Sequence, residues 1–276
     1  MEQEIRRSVI AGTWYPGNPK TLINTIEGYF RKVPDHALGG EIIGLVAPHA
    51  GYAYSGQVAA YAYKGIRDRI YDAVIIISPS HHHRFQGASL YRRGGYETPL
   101  GVIPVNENLS ERLLKASPLV TDFPAVHAGE HALEIQLPFL QVALGSFTMV
   151  PLVMGNQDRQ TCEALAEAIH RSAGPNILIV GSSDLSHFHS YDEAVSMDRI
   201  VLNHLAEMDA PGLLRDLSMG HGEACGGGPA ATALMVSIKR GAHHAEILQY
   251  ANSGDVTGDR QSVVGYAAAV FFRDKT

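Results

Sequence analysis

The chain has little cysteine: two residues in 276, Cys162 and Cys225. Two thiols cannot build the disulfide framework of a small secreted domain, and they suit a reducing cytoplasm. Long apolar runs are also missing. No stretch approaches the ~18 residues that a membrane span needs. The first thirty residues hold no apolar run of signal-peptide length. Neither membrane insertion nor secretion is expected, and a cytoplasmic location is. Basic clusters are lacking as well. The formal charge is −6, from 22 lysines and arginines against 28 acidic residues. No lysine- or arginine-rich run stands out, so a nucleic-acid surface is not expected. Repeats and low-complexity tracts are absent. The most linker-like composition, Val33–Gly40 (VPDHALGG), is too short to divide the chain, which reads as a single domain over residues 1–276. At this length roughly three quarters of the unfolded surface can be buried, so the core needs no staple. Histidine is what the chain has in excess, with fourteen copies against one tryptophan.

Buried strands alternate with amphipathic helices. Apolar runs rich in isoleucine and valine occur at Glu41–Ala47, Asp72–Ser78, Phe147–Met154 and Asn176–Val180, with two more at Glu246–Tyr250 and Ser262–Phe272. Their composition suits strands covered on both faces. Helical spacing marks Asn18–Arg31, Gln57–Ile66, Glu107–Ala116, Glu130–Leu144, Asp158–Arg171, Asp192–Met208 and Pro229–Arg240. This alternation predicts an α/β domain with a mixed, largely parallel central sheet. Ala88–Val105, punctuated by Gly94-Gly95 and Pro99, reads as a hairpin or an irregular β excursion.

In open α/β sheets ligands sit beyond the carboxyl ends of strands. The first strand is followed by Pro48-His49-Ala50-Gly51-Tyr52 and the second by Ser80-His81-His82-His83. The fourth is followed by Ser182-Ser183-Asp184-Leu185-Ser186-His187-Phe188-His189. A single buried histidine is usually structural. Three at equivalent topological positions point instead to a cluster, and histidine is the commonest metal ligand. Cys225, in GEACGGGP ahead of a helix, is a candidate fourth contributor, because the helix dipole favours a thiolate there. A small buried thiol beside glycines is the plainer alternative. Cys162 reads as filler within a helix, and His243-His244 as surface. Glu130-His131-Ala-Leu-Glu134 has the order EHxxE, not that of a zincin. It reads as a solvated, capped helix start, or else His131 lines a pocket. The three glycines after Cys225 lack the lysine and hydroxyl of a phosphate-binding loop.

In combination and in order, RSVIAGTWYP (Arg7–Pro16), PHAGY (Pro48–Tyr52), SHH (Ser80–His82), EHALE (Glu130–Glu134), SSDLSHF (Ser182–Phe188) and the Cys225 segment resemble the Memo family over nearly the whole chain. The resemblance implies a three-layer αβα sandwich similar to class III extradiol dioxygenases, whose non-haem iron is held by two histidines and a carboxylate. It places His49 and His81 at metal-ligand positions and Cys225 where the dioxygenases have glutamate. It also makes Asp184 and His187 further pocket residues, while His83 carries nothing over. Two imidazoles and a thiolate are softer than the iron triad and favour copper or zinc over iron(II). The resemblance itself allows copper- or iron-based redox chemistry. It also implies, for bacterial members, partners encoded nearby: a radical-SAM protein and a small partner domain.

The leading expectation is a metal-dependent redox protein, oxidase- or dioxygenase-like, acting on an unidentified small molecule or peptide. His49, His81 and Cys225 would hold copper, iron or zinc. His187 and Asp184 would serve as base, donor or support, with His131 completing the pocket. The second expectation is a non-enzymatic scaffold that binds a peptide or protein, with Trp14, Tyr15, Tyr52 and Tyr54 as a recognition surface or as pocket wall. The third is a hydrolase using Cys225 as nucleophile or zinc as activator.

Overall fold

The computed structural model describes residues 4–35 and 39–275, so part of the linker-like stretch 33–40 lies outside the described residues. In chain order come β1 (Ile5–Arg6), α1 (Pro19–Lys32), β2 (Gly40–Ala47), α2 (Tyr52–Gly65) and β3 (Ala73–Pro79), then β4 (Ala88–Leu90), β5 (Gly95–Thr98) and β6 (Gly101–Pro104). They are followed by α3 (Glu107–Ala116), β7 (Val120–Asp122), α4 (Ala125–Ala128), α5 (His131–Glu134), α6 (Leu137–Leu144), β8 (Met149–Met154), α7 (Arg159–Ser172) and β9 (Ile177–Ser182). The remainder is β10 (His187–His189), α8 (Tyr191–Ala206), α9 (Ala210–Ser218), α10 (Gly227–Lys239), β11 (His244–Asn252), α11 (Ser253–Thr257) and β12 (Val263–Asp274).

One nine-stranded sheet organises the molecule, in the order β10-β12-β2-β9-β3-β8-β4-β7, with β11 also on β12. Its centre is parallel: β2 pairs β9, β9 pairs β3 and β3 pairs β8. Flanking this centre, β12 runs antiparallel to β2 and β4 antiparallel to β8, while the edge strand β7 pairs β4 in parallel. Successive side chains of a strand face opposite ways, and the central strands are almost wholly buried and mostly apolar. Val74 and Ile76 therefore enter one core with α1, α2 and α6. Ile75 and Ile77 enter the other with α3, α7, α9 and α10. Helices cover both faces, which makes the three-layer αβα sandwich with a mixed sheet.

The helices start where the sequence caps them. Asn18 accepts from the Thr21 amide with Pro19 in the first turn, and Leu22, Ile26 and Phe30 turn inward. The stretch expected as one helix over Glu130–Leu144 is two, α5 and α6. Pro138 is the reason, since it donates no backbone hydrogen bond and its ring clashes with the carbonyl four residues back, that of Glu134. Helix α9 falls outside the expected set, although Asp209 caps it and Pro211 sits in its first turn. Within Ala88–Val105, β4 joins the main sheet. The β5–β6 hairpin instead forms a separate three-stranded sheet with β1.

The amino-terminal segment is tied down by a buried ion pair. Arg6 and Glu134 contact each other, with side chains 3% and 0% exposed. Glu134 also accepts from Ser8 Oγ at 2.6 Å, Tyr15 Oη at 2.7 Å and the Val9 amide at 3.0 Å. Burial acts to raise its pKa, but the Arg6 charge and these donors outweigh burial and hold it below the ordinary value. Glu134→Ala leaves Arg6 buried and unpaired, and is expected to cost about 3–5 kcal/mol in urea unfolding. A folded pKa below the unfolded one means a contribution that is full above the model-peptide value of 4.5 and lost as pH falls below it. Acid titration of stability in wild type and variant should therefore converge at low pH, and a constant gap would refute this assignment.

Candidate metal centre

Strands β2, β9 and β3 are adjacent and parallel, so their carboxyl ends lie side by side. His49 follows β2, His81 follows β3, and Ser182 to Asp184 close β9. The Cys225 segment approaches the same edge just ahead of α10. The approach needs glycine at 226, where a Cβ would lie 2.0 Å from the Ser182 carbonyl oxygen. Gln157 holds this segment from the other side. Its Nε2 donates to the Cys225 carbonyl at 2.8 Å and its Oε1 accepts from the Gly228 amide at 2.7 Å.

The tautomer of His49 follows from its neighbours. Ser182 Oγ donates to the Ala132 carbonyl at 2.7 Å and accepts from Gln136 Nε2 at 2.8 Å. With its proton committed, Ser182 can only accept from His49 Nδ1, 3.0 Å away. The lone pair of His49 is therefore on Nε2, which lies 3.0 Å from Cys225 Sγ. Burial, reinforced by the neighbouring His81, brings the His49 pKa down to about 3, so the ring is neutral.

His81 is oriented by Glu130, whose Oε1 lies 2.9 Å from His81 Nδ1 and whose Oε2 accepts from the His81 amide at 2.7 Å. Burial acts to raise the Glu130 pKa, but the hydrogen bonds and charge of His81 bring it down to about 2. An ionised carboxylate only accepts, so Nδ1 of His81 is the donor and Nε2 is left free. Glu130 also caps α5 through the Ala132 amide at 2.9 Å. The helix start is therefore capped as expected but not solvated, since Glu130 and Glu134 are 1% and 0% exposed. His131 stacks on His81, ring centroids 4.5 Å apart, and meets the tilted ring of Trp14 at 4.4 Å. Burial, with His49 nearby, lowers the His131 pKa to about 4.

One ligand atom each from His49, His81 and Cys225 lies within 4.8 Å of the others, and His81, Glu130 and His131 make a second such group. Asp184 braces the site from beneath. Its Oδ1 accepts from the His49 amide at 2.7 Å and the Ala50 amide at 3.3 Å, and burial pushes its pKa up to about 6. His187 lies on β10, close enough to act electrostatically on both His49 and Asp184. Glu223 accepts from the His187 amide at 3.1 Å and contacts His189 Nε2 at 2.8 Å. The expected helix-dipole benefit to Cys225 is overridden. Desolvation, with Asp184 close by, raises its thiol pKa well above the usual range.

The other sequence candidates separate cleanly. Cys162 is fully buried core, and His243 and His244 are exposed. Tyr15 and Tyr52 are buried, whereas Trp14 and Tyr54 are 38% and 47% exposed. The sequence reading gave no role to Ser182, Gln136, Gln157 or Glu223. Serine and glutamine carry no chemical signature at such positions, and Glu223 lies far in sequence from the histidines it holds. A groove of about 910 Å³ elsewhere on the molecule shares none of its lining with this site.

The family model of Memo-like protein matches residues 6–270. A MEMO1 family protein of Methanothermobacter thermautotrophicus is 37% identical, with 95% of this chain and 99% of the relative covered. One from Methanopyrus kandleri is 36% identical, with 97% and 99% covered. Among solved structures, an uncharacterized protein from Escherichia coli superposes with a TM-score of 0.55 at 13% identity, over 83% of this chain and all of that one. At that identity the likeness concerns fold alone. The archaeal relatives match across almost the entire length, through every segment that builds the site, and the chain belongs to the Memo family.

Proposed function

We propose that His49, His81 and Cys225 hold a first-row transition metal and that the protein is a metal-dependent redox protein acting on a small molecule or peptide. One observation carries the reading. Both imidazoles have Nδ1 engaged as donor, to Ser182 and to Glu130, so Nε2 is the nitrogen each has to offer an ion, and the donor group closes with Cys225. Metal-ligating histidines are commonly fixed in this way, one nitrogen tied back so that the other is aimed.

The donor set fits such an ion. Two imidazoles and a sulfur form a soft, nitrogen-rich set that suits copper or zinc, while the resemblance allows copper or iron. Desolvation keeps the Cys225 thiol protonated on its own, and a neighbouring cation would reverse that preference. When bound, copper or iron supplies redox chemistry at an open coordination position, and zinc supplies only electrophilic activation. The chain's own residues do the rest. Asp184 fixes the backbone of His49, and Glu130 fixes the ring of His81. His187, anchored through its amide to Glu223, is the group available to move a proton to or from a substrate. His131 and Trp14 pack in series beside His81 and form the wall on that side.

The raised Cys225 thiol counts against an unassisted cysteine nucleophile, which works as a thiolate. The scaffold reading keeps the exposed rings of Trp14 and Tyr54 as its support.

Elemental analysis of tag-free protein purified anaerobically and dialysed against a mild chelator tests the proposal. Near-stoichiometric metal in the wild type, lost in His49→Ala, His81→Ala and Cys225→Ala alike, is the expected result. Retention in all three would sink it. Glu130→Gln keeps the shape of the contact with His81 but removes the charge, and should weaken metal affinity by about 10–100-fold. His187→Gln should leave affinity unchanged, because His187 is not among the three ligands. An equal loss of metal in His187→Gln would make that residue a ligand.

A further inference from the structure

A separate group of donors lies at the end of the sheet, where β11 begins and β12 ends. His243 precedes β11, His244 opens it, and Asp274 is the last residue of β12. The strands run antiparallel with His244 opposite Phe272. Strand alternation therefore puts His244, Phe272 and Asp274 on one face. On the other side of β12, Asp274 pairs with Gly40 at the start of β2. The strands meet closely there, since a Cβ on Gly40 would lie 2.2 Å from the Arg273 carbonyl oxygen. The carboxylate is thus carried on backbone paired with β2, two residues beyond the last β11 pair.

Each donor is aimed. His243 Nδ1 lies 3.1 Å from the Gly241 carbonyl, which makes that nitrogen the donor, and its Nε2 lies 3.1 Å from Asp274 Oδ2. His244 Nε2 lies 3.3 Å from the other carboxylate oxygen, Oδ1. Its ring stacks on Phe272 with centroids 5.2 Å apart and planes at 30°. Ligand atoms of all three residues lie within 4.8 Å of one another, and all three residues are exposed. A histidine with one nitrogen tied to a backbone carbonyl keeps the other for an ion, as metal-ligating histidines commonly do, and here that nitrogen lies beside the carboxylate. As bare ion pairs, exposed contacts of this kind contribute little. As a donor set, two imidazoles and a carboxylate suit zinc and neighbouring divalent ions.

We infer that His243, His244 and Asp274 form a surface site for a divalent first-row ion, zinc in the first instance, which ties the start of β11 to the end of β12. Its remaining coordination positions face solvent. The site stands independently of the pocket, with which it shares no residue.

Zinc binding to the tag-free full-length chain, measured by competition with a chromophoric chelator, is the test. The background is His81→Ala/Cys225→Ala, because His81 belongs to both donor groups of the pocket. This double variant should still bind zinc, and adding Asp274→Asn or His244→Ala should weaken binding by about tenfold or more. Zinc should also raise the Tm of the double variant by mass action, and Asp274→Asn should abolish the rise. Should the double variant not fold, the wild type serves, with Asp274→Asn expected to lower the zinc it binds by one equivalent. A folded double variant that binds no zinc overturns the site, as does zinc binding indifferent to both added changes.

Discussion

Parallel pairing of three adjacent strands is the constraint on which the rest of the structure depends. Because β2, β9 and β3 hydrogen-bond side by side in one direction, the residues after each strand emerge at the same edge. No long-range fitting of loops is needed to bring His49, Ser182 and His81 together, since the backbone ladder has already done so. Crossover helices that return each chain segment to the start of the next strand cover both faces. The two cores and the site are consequences of a single topology.

On that edge, burial and hydrogen bonding divide the work. Burial keeps His49 and His131 neutral, which leaves nitrogen lone pairs to offer. Hydrogen bonds then decide which nitrogen is offered, through Ser182 for His49 and the ionised Glu130 for His81. The two anchors differ in charge but act alike, each taking the Nδ1 proton. Glu130 serves twice, because the carboxylate that orients His81 also caps the helix that carries His131.

The fold was largely legible in the sequence, since apolar strands of this composition have few alternatives. Every long strand expected from an isoleucine–valine run is present, within a few residues of its bounds. What escaped was local. Pro138 lay in plain sight within Glu130–Leu144, but the apolar periodicity runs through it and masks the break. Helix α9 is short, and its Asp209 cap was passed over. In the site, the histidines and Cys225 were legible because few other residue types do their chemistry. Ser182, Gln136 and Gln157 were not, because their importance lies wholly in which atoms they face. The helix-dipole argument for Cys225 failed for a related reason: it used the local element and could not weigh burial, which is set by the whole fold.

The distances along the chain between partners in this structure bear on the order of its synthesis. Arg6 meets Glu134 across 128 residues, and Cys225 meets His49 across 176. A chain emerging from the ribosome carries its amino-terminal segment undocked until nearly half of it has been made. The donor set stays open for longer still, until the cysteine segment arrives and α10 packs behind it. Contacts of such separation form late, after loop closure has been overcome. A nascent chain therefore carries His49 and His81 without Cys225 for about half of its synthesis, and the donor set is complete only in the nearly finished protein.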